Sequence, residues 1–154
     1  MDLVKGIKER RSIRKFQDKP IDRKLIEEIV ETARFAPSWK NTQIVRYLVV
    51  DDREKIAAIA NSKCTYGFDY NIKAIAGAPA VVILTFVEGR SGFDKDGSFS
   101  TPKGEGWQMF DAGIAAQTFC LAAHEKGLGT VIQGYFDDAE LKKVLPIPEG
   151  QQVG

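Results

Sequence analysis

The sequence predicts a mixed β-sheet flanked by helices, an α+β or α/β sandwich. Three observations predict it. Apolar residues switch between helical spacing and short β-branched runs in the order helix, strand, helix, strand, long helix, strand, helix. The run "AVVILTF" (80–86) is apolar throughout, as a strand buried on both faces requires. The stretch 107–126 is apolar on more than one face, as a core or interface helix is. A length of 154 residues allows a single domain with a sizeable core, and one domain over 1–154 is expected.

The elements follow in order. In "DRKLIEEIVETARFAP" (22–37), Leu25, Ile26, Ile29, Val30, Ala33 and Ala36 share one helical face; Asp22 is placed to cap the start and Pro37 forces the end. "IVRYLVV" (44–50) is β-branched and aromatic and reads as a strand, while "DDREKIAAIANS" (51–62) returns to helical spacing behind a capping aspartate. The apolar run at 80–86 is the central strand. Between Glu88 and Gly106 lies "EGRSGFDKDGSFSTPKGEG", a glycine-rich polar stretch read as a loop or lid. The long helix, "WQMFDAGIAAQTFCLAAHEK" (107–126), is ended by Gly127. "GTVIQGYF" (129–136) reads as a short strand leaving through Gly134, and "DDAELKKVL" (137–145) as a surface helix stopped by Pro146. "IPEGQQVG" (147–154) holds a turn signal and the first residues of a further strand, so a closing strand and tail are expected beyond it.

Composition excludes several classes. Lysine and arginine number 22 against 21 aspartates and glutamates, a net charge of +1. Bulk nucleic-acid binding needs a basic face to neutralise phosphates and is not expected. No apolar run approaches bilayer length and "MDLVKGIKERRS" has no secretory core, so neither a membrane span nor export is expected. Cys64 and Cys120 are too few and too far apart for a disulfide framework or a metal site, which fits a reducing, cytoplasmic location. No GxGxxG follows a strand and there is no GxxxxGK[ST] loop, so neither a Rossmann site nor a P-loop is expected.

Against this even background "RRSIRKF" (10–16) concentrates charge. Arg10, Arg11 and Arg14 surround Ser12; planar guanidinium forks with a neighbouring hydroxyl suit a phosphomonoester, although a solvated basic segment has the same composition. In "APSWKNTQ" (36–43), Pro37 ends a helix, and Ser38, Asn41 and Gln43 supply neutral donors and acceptors for a heterocycle edge or sugar hydroxyls. Turn residues joining a helix to a strand would look alike. His124, near the end of the long helix, suits the helix dipole, and Cys120 suits the core. Phe68, Tyr70, Phe93, Phe99 and Trp107 offer stacking to a substrate or simple satellite packing.

Taken in order, "RRSIRKF", an amphipathic helix, "APSWKNTQ" and the strand "IVRYLVV" resemble the opening of the FMN-dependent nitroreductase family. "DAGIAAQTFCLAAHEKGLGTVIQGYFD" (111–137) is similar to that family's central dimer helix and flavin-contacting strand. The resemblance implies a nitroreductase-like α-β-α sandwich, a homodimer joined through the long central helix, and FMN at the subunit interface. It implies an NAD(P)H oxidoreductase with ping-pong chemistry. NADH or NADPH binds transiently and passes hydride to the flavin, and a small-molecule acceptor, a nitroaromatic or quinone, then takes its place. A flavin carrier or sensor without turnover is the alternative.

Carried over by position, the resemblance puts Arg10 and Ser12, with Arg11 beside them, at the FMN phosphate or ribityl chain. Arg14 falls at the pyrimidine edge, where a guanidinium stabilises the charge of reduced flavin. Pro37, Ser38, Asn41 and Gln43 form the second cofactor segment, with Ser38 and Asn41 reaching the flavin of the other subunit. Asn71 supplies an amide at the pyrimidine; Ala74 stands where some members carry a lysine, and Lys73 lies on another helical face. Ile132, Gln133 and Gly134 match the strand whose backbone amides face the reactive nitrogen, and a residue without Cβ there lets the backbone approach the ring. Many members add a carboxy-terminal segment with basic residues for the phosphate; either such residues belong to a longer native protein, or the phosphate grip rests on the amino-terminal arginines alone, with weaker FMN retention as the expected cost.

Overall fold

The structure, a computed structural model, describes residues 2–61 and 63–154. Helix α1 (Leu3–Glu9) is capped by the Asp2 carboxylate, which accepts from the Lys5 N–H at 2.9 Å. Helix α2 (Arg23–Ala33) is capped by Asp22 in the same way and buries Ile26, Ile29 and Ala33. A 3₁₀ turn (Trp39–Asn41) leads into β1 (Val45–Val50). Helix α3 (Arg53–Ile59) follows behind its Asp52 cap, then α4 (Asp69–Ala76) and β2 (Val81–Val87). The 20-residue α5 (Gly106–Glu125), α6 (Asp138–Val144) and β3 (Gln151–Val153) complete the chain.

The strands pair in the order β1-β2-β3, both pairs antiparallel. Alternation along β2 sends its residues to two cores. Phe86 packs with Ile44 and with Ala112 of α5 on one face, while Ile83 packs with Val50, Ile56, Ile59, Leu141 and Leu145 on the other. Helices α5 and α2 therefore cover one side of the sheet, and α3 and α6 the other. Each large apolar side chain so buried contributes about 1.5–3 kcal/mol. The α+β sandwich read from the sequence is the fold observed, with β2 at its centre.

The structure departs from these expectations or refines them at five points. Residues 129–136, expected as a strand, join no strand ladder. Their one backbone bridge is the parallel Ser12–Thr130 contact, and their other edge faces a cavity of about 390 Å³. That bridge is the only parallel pairing among the described residues, so the sheet itself is antiparallel rather than mixed. Helix α1 was not expected, because its apolar residues Leu3, Val4 and Ile7 lie outside the core, 52–68% exposed. Helix α2 stops at Ala33, ahead of Pro37, and the Arg34 N–H closes its end on the Val30 carbonyl at 2.9 Å. The loop after β2 is tied to itself as a compact unit. The Ser100 N–H donates to Gly92, the Asp94 N–H to Ser98, and Phe93 and Phe99 pack at 5.0 Å.

Among the described residues no helix is long and apolar enough to cross a membrane, and no cluster of His, Cys, Asp or Glu could hold a metal ion. Both cysteines are free and buried.

Candidate functional site

The chemistry-bearing residues form two groups. The first begins where α1 ends. Arg10 leaves the helix at ψ 131°, and its N–H closes on the Gly6 carbonyl at 3.0 Å. Its side chain is half-buried, with Nε enclosed and without a hydrogen-bond partner. Arg11 turns back instead, its Nη1 donating to the carbonyls of Lys8 and Arg10 at 2.5 and 2.8 Å. Ser12 bridges to Thr130, and the Ile13 N–H donates to the Thr130 carbonyl at 2.9 Å. This approach needs Gly129, since a Cβ there would stand 2.9 Å from the Cβ of Ile13. Arg14 reaches across, its guanidinium 6.0 Å over the Tyr70 ring and its Nη1 donating to the Ser12 carbonyl at 3.3 Å. Among the described residues no carboxylate pairs with Arg10, Arg11 or Arg14.

The bridge places this arginine segment beside residues 130–136. Asn71, 8% exposed on α4, donates from Nδ2 to the Tyr135 carbonyl at 3.4 Å, and the Asp137 N–H donates to Cys64. The segment is thus held at both ends without a ladder. Ile132 is 62% exposed, Gln133 lines the apolar cavity, and nothing lies within 4 Å of where a Cβ on Gly134 would sit. Ala74 is buried, and Lys73 pairs outward with Asp69 at 2.5 Å, so no second cation joins the arginines from α4.

The second group is residues 37–43. Ser38 Oγ accepts from the Gln43 N–H at 2.9 Å, and the Asn41 N–H donates to the Ser38 carbonyl at 3.0 Å. Lys40, Asn41 and Gln43 all have left-handed backbones, φ 43°, 53° and 49°. Asparagine tolerates that region; lysine and glutamine do so at a cost of about 1–3 kcal/mol each, which the surroundings must offset. What holds them is Asp111, 2% exposed on α5. Its carboxylate accepts from the Trp39 N–H at 3.0 and 3.1 Å and from Ser91 Oγ at 2.6 Å. Trp39 packs on Trp107 at 4.3 Å, and Lys40 pairs with Asp94 at 3.2 Å. Sequence reasoning missed Asp111, although a lone carboxylate in the apolar run "MFDAGIAAQ" was the signal available. Beneath Pro37, Ser38 and Gln43 lies a cavity of about 410 Å³, also lined by Arg34, Arg46 and Tyr47. Burial, aided by Cys120, pushes the Tyr47 phenol up to about 12, and its Oη has no hydrogen-bond partner.

The structure joins Arg10, Ser12, Arg14, Asn71 and 132–134 in one neighbourhood but leaves 37–43 in another. Asp111, the anchor of the second group, sits in the second turn of α5, whereas Thr130, the anchor of the first, follows its end. About 20 Å of helix separates Asp111 from Glu125 at 1.5 Å per residue.

Residues 7–66 and 67–154 match the Nitroreductase family. A protein of Methanothermobacter thermautotrophicus, named provisionally as an NADH dehydrogenase/NAD(P)H nitroreductase, is 32% identical over 153 residues, 97% of this chain and 71% of its own length. The FMN reductase [NAD(P)H] of Bacillus subtilis is 29% identical over 157 residues, 96% of this chain and 61% of its own. Among solved structures, one from Desulfovibrio desulfuricans, provisionally named a nitroreductase and in complex with FMN, superposes with a TM-score of 0.71 at 26% identity. It covers 99% of this chain and 81% of its own. The family match runs almost from end to end of the chain that carries this arginine segment and its bridge to Thr130, and the protein belongs to the Nitroreductase family.

Proposed function

We propose that the protein is an FMN-dependent NAD(P)H oxidoreductase, active as a homodimer on nitroaromatics, quinones or related electron-poor acceptors. The observation that carries this reading is the neighbourhood of 10–14 and 130–134: three guanidinium groups without a carboxylate partner, one enclosed Nε without an acceptor, and open space over Gly134. Those residues fit the cofactor. An anion satisfies the Arg10 guanidinium, and a flat ring can approach the bare backbone at 134.

FMN, when bound, supplies the two-electron exchange between NAD(P)H and the acceptor. Arg10 and Ser12 hold its phosphate and ribityl end. Arg11 serves chiefly to cap the carbonyls at the end of α1. Arg14 offers positive charge where negative charge develops at the pyrimidine edge, and Asn71 an amide to the same edge. Ile132, Gln133 and Gly134 present backbone to the ring.

Pro37, Ser38, Asn41 and Gln43 complete the site of a second copy, which their separation along α5 from the arginine segment favours. Apolar surface for such a dimer is exposed on α5 at Met109 and Phe110, on α1 at Leu3, Val4 and Ile7, and at Phe35.

The test is a visible spectrum of the protein incubated with excess FMN and desalted, followed by anaerobic NADPH and NADH. Retained flavin that bleaches with either donor and recolours with acceptor is expected. Flavin that binds but does not bleach identifies a carrier or sensor instead, and a protein that takes up no flavin refutes the reading.

A further inference from the structure

The loop between β2 and α5 is fastened to residues 37–43 through one buried side chain. Ser91 is fully buried, and its Oγ donates to the Asp111 carboxylate at 2.6 Å, the short length of a hydroxyl bonded to a carboxylate. The same carboxylate accepts the Trp39 N–H, so loop, helix and cofactor segment meet at Asp111. Further ties surround this relay. The Gly89 N–H donates to Gln108 Oε1 at 2.8 Å, Trp107 Nε1 donates to Thr101 Oγ1 at 2.8 Å, and the Lys40 ammonium meets Asp94 at 3.2 Å. Gly92 lets the loop close on itself, since a Cβ there would stand 2.4 Å from the Gly104 carbonyl oxygen. A loop tied at 89, 91, 94 and 101 is built as a brace.

Folding alone does not account for what is braced. Asp111 is 2% exposed, and among the described residues no cation pairs with it; its donors are an amide and a hydroxyl. Enclosing a carboxylate on neutral donors is costly, and an apolar side chain at 111 with a relaxed turn at 40–43 would fold at less expense. Instead Lys40, Asn41 and Gln43 stay left-handed beside the relay. Strain of this kind persists where the surroundings fix a geometry that function uses. Trp39, the residue the relay holds, has its Nε1 enclosed, and the acceptor such a donor ordinarily has is not among the described residues.

We propose that Ser91 and Asp111 are positioning residues for the second half of the flavin site, and that loop 88–106 is the brace of that half. Their relay holds 38–43 in the left-handed form that presents Ser38 and Asn41 to the cofactor of a second copy. The proposal rests on the flavoenzyme reading. Ser91 hydrogen-bonds to none of the residues assigned to the cofactor, so its influence on FMN runs through Asp111 and Trp39.

The experiment titrates FMN by flavin fluorescence into the parent chain and its variants, with the urea midpoint and the flavin midpoint potential of each measured alongside. Asp111→Ala should raise the Kd by about tenfold, the worth of one lost hydrogen bond to a charged group. Ser91→Ala should raise it severalfold, and the double variant no further than Asp111→Ala, because both cut one relay. Asp111→Asn keeps an oxygen for the Trp39 N–H and should recover most of the loss. The midpoint potential should stay at the parent value throughout, in contrast to Arg14→Ala. An unchanged Kd in Ser91→Ala or in Asp111→Ala, whatever happens to the urea midpoint, makes the residues merely structural and overturns the proposal. A shifted potential without loss of affinity overturns it too, since the Asp111 charge would then act on the ring. Should Asp111→Ala fail to fold, Ser91→Ala and Asp111→Asn decide. A parent chain that takes up no FMN sinks the flavoenzyme reading instead. Acrylamide quenching of Trp39 and Trp107 in the flavin-free chain still tests the relay: stronger quenching in Ser91→Ala is expected, and equal quenching overturns it.

Discussion

At the scale of single residues the three arginines are not equivalent, and their surroundings say how each responds to removal. Arg10 has an enclosed donor without an acceptor, so Arg10→Ala should weaken FMN binding by about 1.5–3 kcal/mol, the worth of a charged hydrogen bond, read by flavin fluorescence titration. Arg11 is committed to the carbonyls of Lys8 and Arg10, and the same titration should show little change for Arg11→Ala. Arg14→Ala should move the flavin midpoint potential more than the affinity. Tyr47 presents a different residue-level case. Its phenol is enclosed without a partner and raised from 10.0 to about 12, so the folded state favours the protonated form. That contribution is complete below pH 10 and is lost as pH rises toward 12. Tyr47→Phe should therefore cost no stability at neutral pH and should flatten the alkaline fall in urea midpoint between pH 10 and 12.

At the scale of elements, α5 serves as a post to which two loops are fastened. Asp111 takes the Trp39 N–H from one loop and the Ser91 hydroxyl from the other, and three left-handed residues persist beside it. Asp111→Ala leaves both donors without an acceptor, at about 1–3 kcal/mol for each, and removes what offsets the strain at 40–43. A lower urea midpoint is expected, and an unchanged one would mean that other contacts hold the junction. The second fastening is the Lys40–Asp94 pair. Hydrogen bonds from Ser100 and then Lys40 hold the Asp94 carboxyl below its ordinary 3.8, so the tie is intact above that pH and lost as pH falls through the lower folded value. Trp39 and Trp107, the chain's two tryptophans, meet at this junction. Their fluorescence should change below pH 3.8, and the change should vanish in Asp94→Asn.

At the scale of the whole molecule, the two halves of the candidate site lie along α5 with Met109 and Phe110 exposed on the same helix. If FMN sits between two copies as proposed, dimerisation and flavin binding are one event. Phe110→Glu, which places a charge on the exposed apolar face without touching the core, should shift sedimentation toward the monomer and weaken FMN binding together. A monomer that binds FMN as tightly as the parent protein would separate the two and would place the cofactor within one copy.

The sequence by itself determined what depends on near neighbours. Helical and alternating periods, aspartate caps and a fully apolar run fixed α2, β1, α3, β2, α5 and α6 to within a few residues, because each of those signals acts over one or two turns. The arginine segment and its family resemblance were legible for the same reason: they are short, contiguous motifs. Tertiary structure alone decided the rest. Asp111 meets Trp39 across 72 positions and Asn71 meets Tyr135 across 64, and no local pattern encodes such pairs. Whether 129–136 forms a ladder depended on a partner edge and not on its own β-branched residues, and Tyr66, at φ 49°, meets Tyr135 of that segment across 69 positions. Periodicity determines which way a side chain faces; packing determines what it meets.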